Sequence, residues 1–194
     1  MTQRRLWLVR HALPLVAPGV CYGALDVPAD PAATADAARR LARALPGTLA
    51  DMRHSPLQRC EQLVQALMAL KADSASEPDA RLAEMDFGTW EGRAWDAIAR
   101  ADIDAWTSDF GAPRASGGDS LAAMLLRVEA ALAEARQLSH DRGGDVLWIT
   151  HAGVARCVQW LQARPGRLPR ADEWPVAAPA YGEWTTVPLD APTH

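Results

Sequence analysis

The chain has 194 residues, 49% hydrophobic and 23% charged, with a formal net charge of -4. That length fits one domain able to bury about 70% of its unfolded surface without metals or disulfides, and the acidic balance argues against a broad nucleic-acid footprint. Cys21, Cys60 and Cys157 are an odd number without CxxC spacing, and no apolar stretch approaches a membrane span or a signal peptide, so a reduced, cytoplasmic protein without a zinc site or membrane contact is expected.

The first element is Leu6-Trp7-Leu8-Val9, an uninterrupted apolar run that ends abruptly in Arg10 and His11. Such a run reads as a fully buried strand, and ligands of open α/β sheets collect at the carboxyl ends of strands. Residues 12 to 30, with Pro14, Pro18, Gly19, Gly23 and Pro28, read as one long loop, a length that is usually functional. The spacing predicts a helix over residues 31 to 45 and a strand over 48 to 53. Ser55, Pro56 and Gln58 suit the N-cap, N1 and N3 positions of a further helix from 56 to about 70.

Residues 72 to 80 read as a surface loop and Arg81 to Ala83 as a short strand. The segment Glu84 to Gly92 mixes charge, aromatic rings and glycine too densely for a plain helix or strand. Two short helices are predicted within 92 to 109 and a loop over 111 to 118. Asp119 or Ser120 then caps a long helix to about 138, with Leu121, Leu125, Val128 and Leu132 along one face. Asp145 to Thr150 repeats the first pattern, an apolar run closed by a polar residue and His151. A helix over Ala152 to Leu161 follows. A proline-rich tail wraps the surface, with Glu183 to Val187 as a last edge strand. This alternation predicts a single α/β domain over residues 1 to 194, three-layered, with a mostly parallel central sheet.

Three segments share one grammar, a strand-like run followed by a phosphate-suited residue at a helix start or loop. They supply Arg10 with His11, Arg59, and His151. Arginine offers a planar fork of donors that matches phosphate oxygens, and helix starts after Ser55 and His151 add oriented backbone N–H groups, Ala152 among them.

With these pieces in view the chain resembles the histidine phosphatase superfamily, the phosphoglycerate mutase-like enzymes. The matching blocks are Leu8-Val9-Arg10-His11, Ser55-Pro56-Leu57-Gln58-Arg59, Leu82-Ala83-Glu84 with Phe87 to Gly92, Gly117-Gly118-Asp119-Ser120, and Thr150-His151-Ala152-Gly153. They occur in the family's order. The resemblance implies that His11 is the phosphorylated nucleophile, that Arg10, Arg59 and His151 hold the phosphate, and that Glu84 is the proton donor. It further implies no metal and no cofactor. Gly19 to Pro28 is similar to the substrate loop of α-ribazole phosphatases, with Tyr22 and Gly23 where relatives contact substrate. The short span from Glu84 to His151 favours a phosphatase over a mutase. The expected partner is a small phosphorylated substrate, with a homodimer left open.

The chemistry is coherent on its own terms. A nucleophilic histidine must be neutral, and two nearby arginines disfavour its protonated form. A glutamic acid can then protonate the leaving oxygen and later accept a proton from water. Other readings stand beside this one: a protein phosphohistidine phosphatase, a phosphoglycerate mutase, or a non-catalytic module that binds phosphorylated ligands. The last gains weight if Ala12, which replaces the Gly of the family signature, distorts the nucleophile loop; Pro14 and Ala17 replace its Thr and Asn and bear on the detail of that loop. Asp86 and Glu91 compete with Glu84 for the acid role. Trp90, Trp95 and Trp106 could border a pocket for an aromatic group, although large aromatics more often pack, and packing is favoured for at least two of them. Cys60 and Cys157 read as small buried fillers.

Overall fold

A computed structural model describes residues 3–71, 75–112 and 116–189. In chain order the elements are β1 (Arg5–Arg10), α1 (Pro31–Ala44), β2 (Leu49–His54), α2 (Gln58–Met68), β3 (Glu77–Pro78), α3 (Arg100–Ser108), α4 (Leu121–Arg142), β4 (Asp145–Thr150), α5 (Ala152–Ala163) and β5 (Trp184–Pro188). The sheet runs β3-β2-β4-β1-β5. All neighbours are parallel except β5, which pairs antiparallel with β1.

The central strands β1 and β4 pair in register from Leu6 with Val146 to Arg10 with Thr150. Because side chains alternate along a strand, each apolar run divides between two faces. Leu6, Leu8, Val146 and Trp148 join α4 and α5 in one core, whereas Trp7, Val9, Leu147 and Ile149 join α1 and α2 in the other. That is the three-layer α/β/α architecture expected from the alternation of segments. It also explains why both strands are apolar throughout: neither face meets water. Leu121, Leu125, Val128 and Leu132 of α4 are all buried, as their helical spacing predicts. Ser120 caps α4 by accepting from Ala123 N–H, and Gly143 ends it in the left-handed conformation.

Two local expectations are corrected. Residues 80 to 82 form a single 3-10 turn capped by Asp79, and the short strand lies earlier, at β3. Leu82 is the one buried residue of that turn, too little apolar surface to define a strand face. Helix α2 starts at Gln58 and takes no side-chain cap from its own N-cap, Leu57. Ser55 is spent on His151 instead, and the Gln58 N–H is met by Asp26 from the long loop at 2.8 Å. The predicted loop over 111 to 118 falls partly on residues 113 to 115, which lie outside the described residues.

Candidate active site

Sheet hydrogen bonding assembles the site. The parallel ladder runs one residue past each strand end, so that Ser55 N–H donates to Ile149 O and His11 N–H to Thr150 O, both at 3.0 Å. This sets Ser55, His151 and His11 side by side above β2, β4 and β1. The two imidazole rings lie 5.1 Å apart between centroids, and both residues are buried.

The partner of His11 decides its tautomer. Nδ1 lies 2.7 Å from Ala12 O, a carbonyl that can only accept, so Nδ1 carries the proton and Nε2 keeps its lone pair. Burial above all, then the charge of Arg59 and more weakly that of Arg10, pushes the His11 pKa down to about 3 despite the opposing Ala12 hydrogen bond. His151 is likewise held well below its ordinary range, by burial first and then by His11 and Arg59. Its Nε2 sits 2.7 Å from Ser55 Oγ, which itself accepts from Leu57 N–H.

Arg59 is fully buried and comes from the second residue of α2. It donates to Gly23 O at 2.6 Å and Leu25 O at 2.9 Å, and its guanidinium lies 5.4 Å from the Tyr22 ring centroid. Glu91 grips the same loop from the other side, accepting from the N–H groups of Gly23, Ala24 and Leu25 and from Phe87 N–H. Carbonyls to the arginine and amides to the glutamate fix this stretch of the long loop in one conformation. Gly23 is required there, because a Cβ would fall 1.8 Å from Met85 O.

Arg10 donates to Pro179 O at 3.2 Å and stacks 3.8 Å from the Tyr181 ring centroid. Backbone bonds clamp this tail segment onto the strand end, from Gly182 N–H to His11 O and from Arg10 N–H to Glu183 O. Among the described residues neither Arg10 nor Arg59 has a carboxylate partner, and their buried Nε atoms, with His151 Nδ1, have no hydrogen-bond partner. Unpaired guanidinium charge at low dielectric creates a strong local preference for an anion.

Glu84 reaches the site from the segment behind Leu82. Its two oxygens accept from Met85 N–H and from Gly153 N–H in the first turn of α5, each at 3.0 Å. The approach depends on Gly153, where a Cβ would stand 2.1 Å from Glu84 Oε1. Arg127 of α4 holds the backbone in place through the carbonyls of Arg81, Ala83 and Glu84 and through Asp119. Asp86 and Glu91, the competing acids, are bound to backbone N–H groups of Gly88 and of the long loop.

One cavity of about 470 Å³ is bordered by Arg10, His11, Tyr22, Arg59, Glu84, His151 and Ala152, whereas Gly23, also placed at the substrate by the resemblance, is not in its lining. Tyr22 OH lies 2.7 Å from Tyr181 OH, and burial followed by that hydrogen bond pushes the Tyr22 phenol above its ordinary range. Trp90 is buried beside Cys21 and Ile98, whereas Trp95 and Trp106 pack edge to face on Phe87 and also border the cavity. Cys60 and Cys157 are fully buried, and burial pushes the Cys60 thiol up to about 12. Among the described residues no cluster of three or more His, Cys, Asp or Glu is arranged to hold a metal ion, and no helix is long and apolar enough to cross a membrane.

Sequence reasoning missed Tyr181, Arg127, Arg156 and Trp174. Arg156 lies four residues after Ala152 and so shares its helix face, a signal that was available. Tyr181 sits in a tail without periodicity, and nothing local marks it.

Comparison with solved structures gives close matches in shape. A mycobacterial hydrolase superposes with a TM-score of 0.78 at 24% identity, covering 96% of this chain and 82% of its own. A mycobacterial glucosyl-3-phosphoglycerate phosphatase gives 0.77 at 23% identity, covering 94% of this chain and 89% of its own. A protein from Thermus thermophilus gives 0.66 at 27% identity, covering 94% and 92%. A search of curated proteins returned no match. The family model for branch 1 of the histidine phosphatase superfamily matches residues 6–178. With that match over most of its length, and with residues of four of the five ordered blocks bordering one strand-end cavity, the chain belongs to the histidine phosphatase superfamily, branch 1.

Proposed function

We propose that the protein is a metal-independent phosphomonoester hydrolase that works through a phosphohistidine at His11. The observation that carries this reading is the state of His11: neutral, with Nδ1 committed to Ala12 O and Nε2 free beside two arginines. In the first step Nε2 attacks phosphorus, a P–N bond forms and the P–O bond to the alcohol breaks. Arg10, Arg59 and His151 stabilise the charge on the transferring oxygens, with the amide of Ala152 at the helix start. Ser55 can donate its hydroxyl proton to His151 Nε2 while accepting from Leu57, which leaves the proton of His151 on Nδ1 as a further donor. Glu84 protonates the departing oxygen. In the second step Glu84 takes a proton from water as the P–N bond breaks and phosphate leaves.

Ala12 supports a working site rather than a distorted one. No described non-glycine residue has positive φ, so alanine fits the position where the family carries glycine without strain. The substrate class is a small phosphorylated metabolite, and α-ribazole 5'-phosphate is the specific candidate. The loop from Gly19 to Pro28 resembles its phosphatases, and the cavity is bordered by rings suited to an aromatic base.

The test is transfer of radiolabelled phosphate from an aryl phosphate. Wild-type protein is expected to carry acid-labile label on His11, and His11→Asn to carry none and lose at least ~10³-fold in kcat. Turnover is expected to survive EDTA. Wild type that neither takes up label nor turns over is a binding module instead, and loss under EDTA refutes the metal-free mechanism. Competition among α-ribazole phosphate, phosphoglycerates, glucosyl-3-phosphoglycerate and a phosphohistidine peptide ranks the substrates.

A further inference from the structure

Beyond the proposed catalytic groups, the cavity lining holds Val20, Met85, Leu121 and Met124 and a wall of rings in mutual contact. Phe87 and Trp106 meet edge to face at 6.2 Å, Trp106 and Phe110 lie 5.3 Å apart, and Phe110 and Trp174 meet at 5.9 Å. Beside this wall stands Arg156, the remaining cation of the described lining.

Arg156 lies four residues beyond Ala152 on the same face of α5, about 6 Å further along the helix axis. Its Nη2 donates to Val176 O at 3.2 Å, whereas its buried Nε has no hydrogen-bond partner. Among the described residues it forms no ion pair. Among them too, Glu84 is the one carboxylate that borders the cavity, and both its oxygens are engaged by backbone N–H groups. A guanidinium nitrogen is costly to bury without an acceptor, and the described residues supply none here.

We propose that Arg156 and the aromatic wall form a leaving-group subsite that reads a flat ring bearing an anionic oxygen group, such as a carboxylate. This rests on the hydrolase reading only in that the phosphate end is taken to hold the scissile group, and it favours a substrate other than α-ribazole 5'-phosphate, whose alcohol portion carries no anionic group. The rings provide apolar faces for a planar alcohol portion, and Arg156 provides a charge-assisted hydrogen bond at its far end. A substrate with a short aliphatic alcohol fills neither.

The subsite is tested by the ratio of two substrates in two proteins. Phenyl phosphate is compared with 3- and 4-carboxyphenyl phosphate, in wild type and in Arg156→Met, which keeps the side-chain bulk and removes the charge. Wild type is expected to favour the better carboxylated ester by about ten-fold or more in kcat/KM. Arg156→Met is expected to lose that preference while holding phenyl phosphate turnover within about three-fold. Intrinsic leaving-group differences cancel between the two proteins.

An equal fall for all esters overturns the subsite, because it marks Arg156 as a clip for the tail at Val176. An unchanged preference in the variant overturns it as well. Calorimetric binding of phenylphosphonate and its carboxylated analogues separates this proposal from the hydrolase reading. If no ester is hydrolysed but Arg156-dependent preference persists in binding, the subsite stands and the hydrolase reading fails. No preference in either measurement overturns the subsite.

Discussion

Among single residues, each arginine of the proposed phosphate pocket is paired with a tyrosine: Arg10 with Tyr181 and Arg59 with Tyr22. The tyrosines are themselves joined by a hydrogen bond. Flat aromatic faces hold a guanidinium without neutralising it, which a carboxylate would do, so the full charge stays available for phosphate. Tyr181 is therefore a positioning residue for Arg10. Tyr181→Phe keeps the ring under Arg10 and loses only the bond to Tyr22, so kcat/KM is expected to stay within about three-fold. Tyr181→Ala removes a cation–π contact of about 0.5–2 kcal/mol, and kcat/KM is expected to fall roughly 2- to 30-fold, mainly through KM. Steady-state kinetics with an aryl phosphate checks both. Equal losses in the two variants would place the effect in the hydroxyl pair instead.

Among the strands and helices, β1, β4 and α4 were legible because their burial is regular, continuous along the middle of each strand and confined to one face of the helix. An apolar run closed by polar residues and a histidine reads as a buried strand entering a site, and β1 and β4 both lead into the site in that way. What was not legible depended on partners far along the chain. Ser55 has the chemistry of a helix cap, yet its oxygen lies 2.7 Å from His151, contributed by a strand end 96 positions later. β3 has only two residues, both exposed, and so shows no pattern. The proposed catalytic residues were singled out through motif order, whereas the framework that aims them, Arg127 with Asp119 and Glu91 with the long loop, became visible only in three dimensions. Gly153 belongs to that framework, since α5 can approach Glu84 only without a Cβ. Gly153→Ala is expected to displace the carboxylate and lower kcat about 10²-fold, most severely for esters with poor leaving groups. A uniform loss across leaving groups, measured with substituted phenyl phosphates, would show that Glu84 is not the proton donor.

Taken as a whole, the molecule is an acidic chain with an interior built to stay cationic only at its arginines. His11, His54 and His151 are all held below their ordinary range, chiefly by burial. In the unfolded chain each takes up a proton near pH 6.5, whereas the folded His11 does so only near 3. Between those values the unfolded state binds more protons, so the histidines' contribution is present in full above pH 6.5 and is lost as the pH falls. For a fully buried histidine the loss amounts to roughly 2 kcal/mol between pH 7 and pH 5. His11 alone therefore removes about 2 kcal/mol, and His151 and the half-buried His54 act in the same direction. Asp79, held below its usual range by its Arg81 partner against the opposing effect of burial, acts at lower pH and does not enter this window. Urea unfolding followed by tryptophan fluorescence at pH 7, 6 and 5 is expected to show this decline, with His11→Gln losing about 2 kcal/mol less stability over that range than wild type. A flat profile, or an equal decline in the variant, would mean that the His11 imidazole is protonated in the folded protein, and it would remove the neutral nucleophile on which the proposed reaction depends.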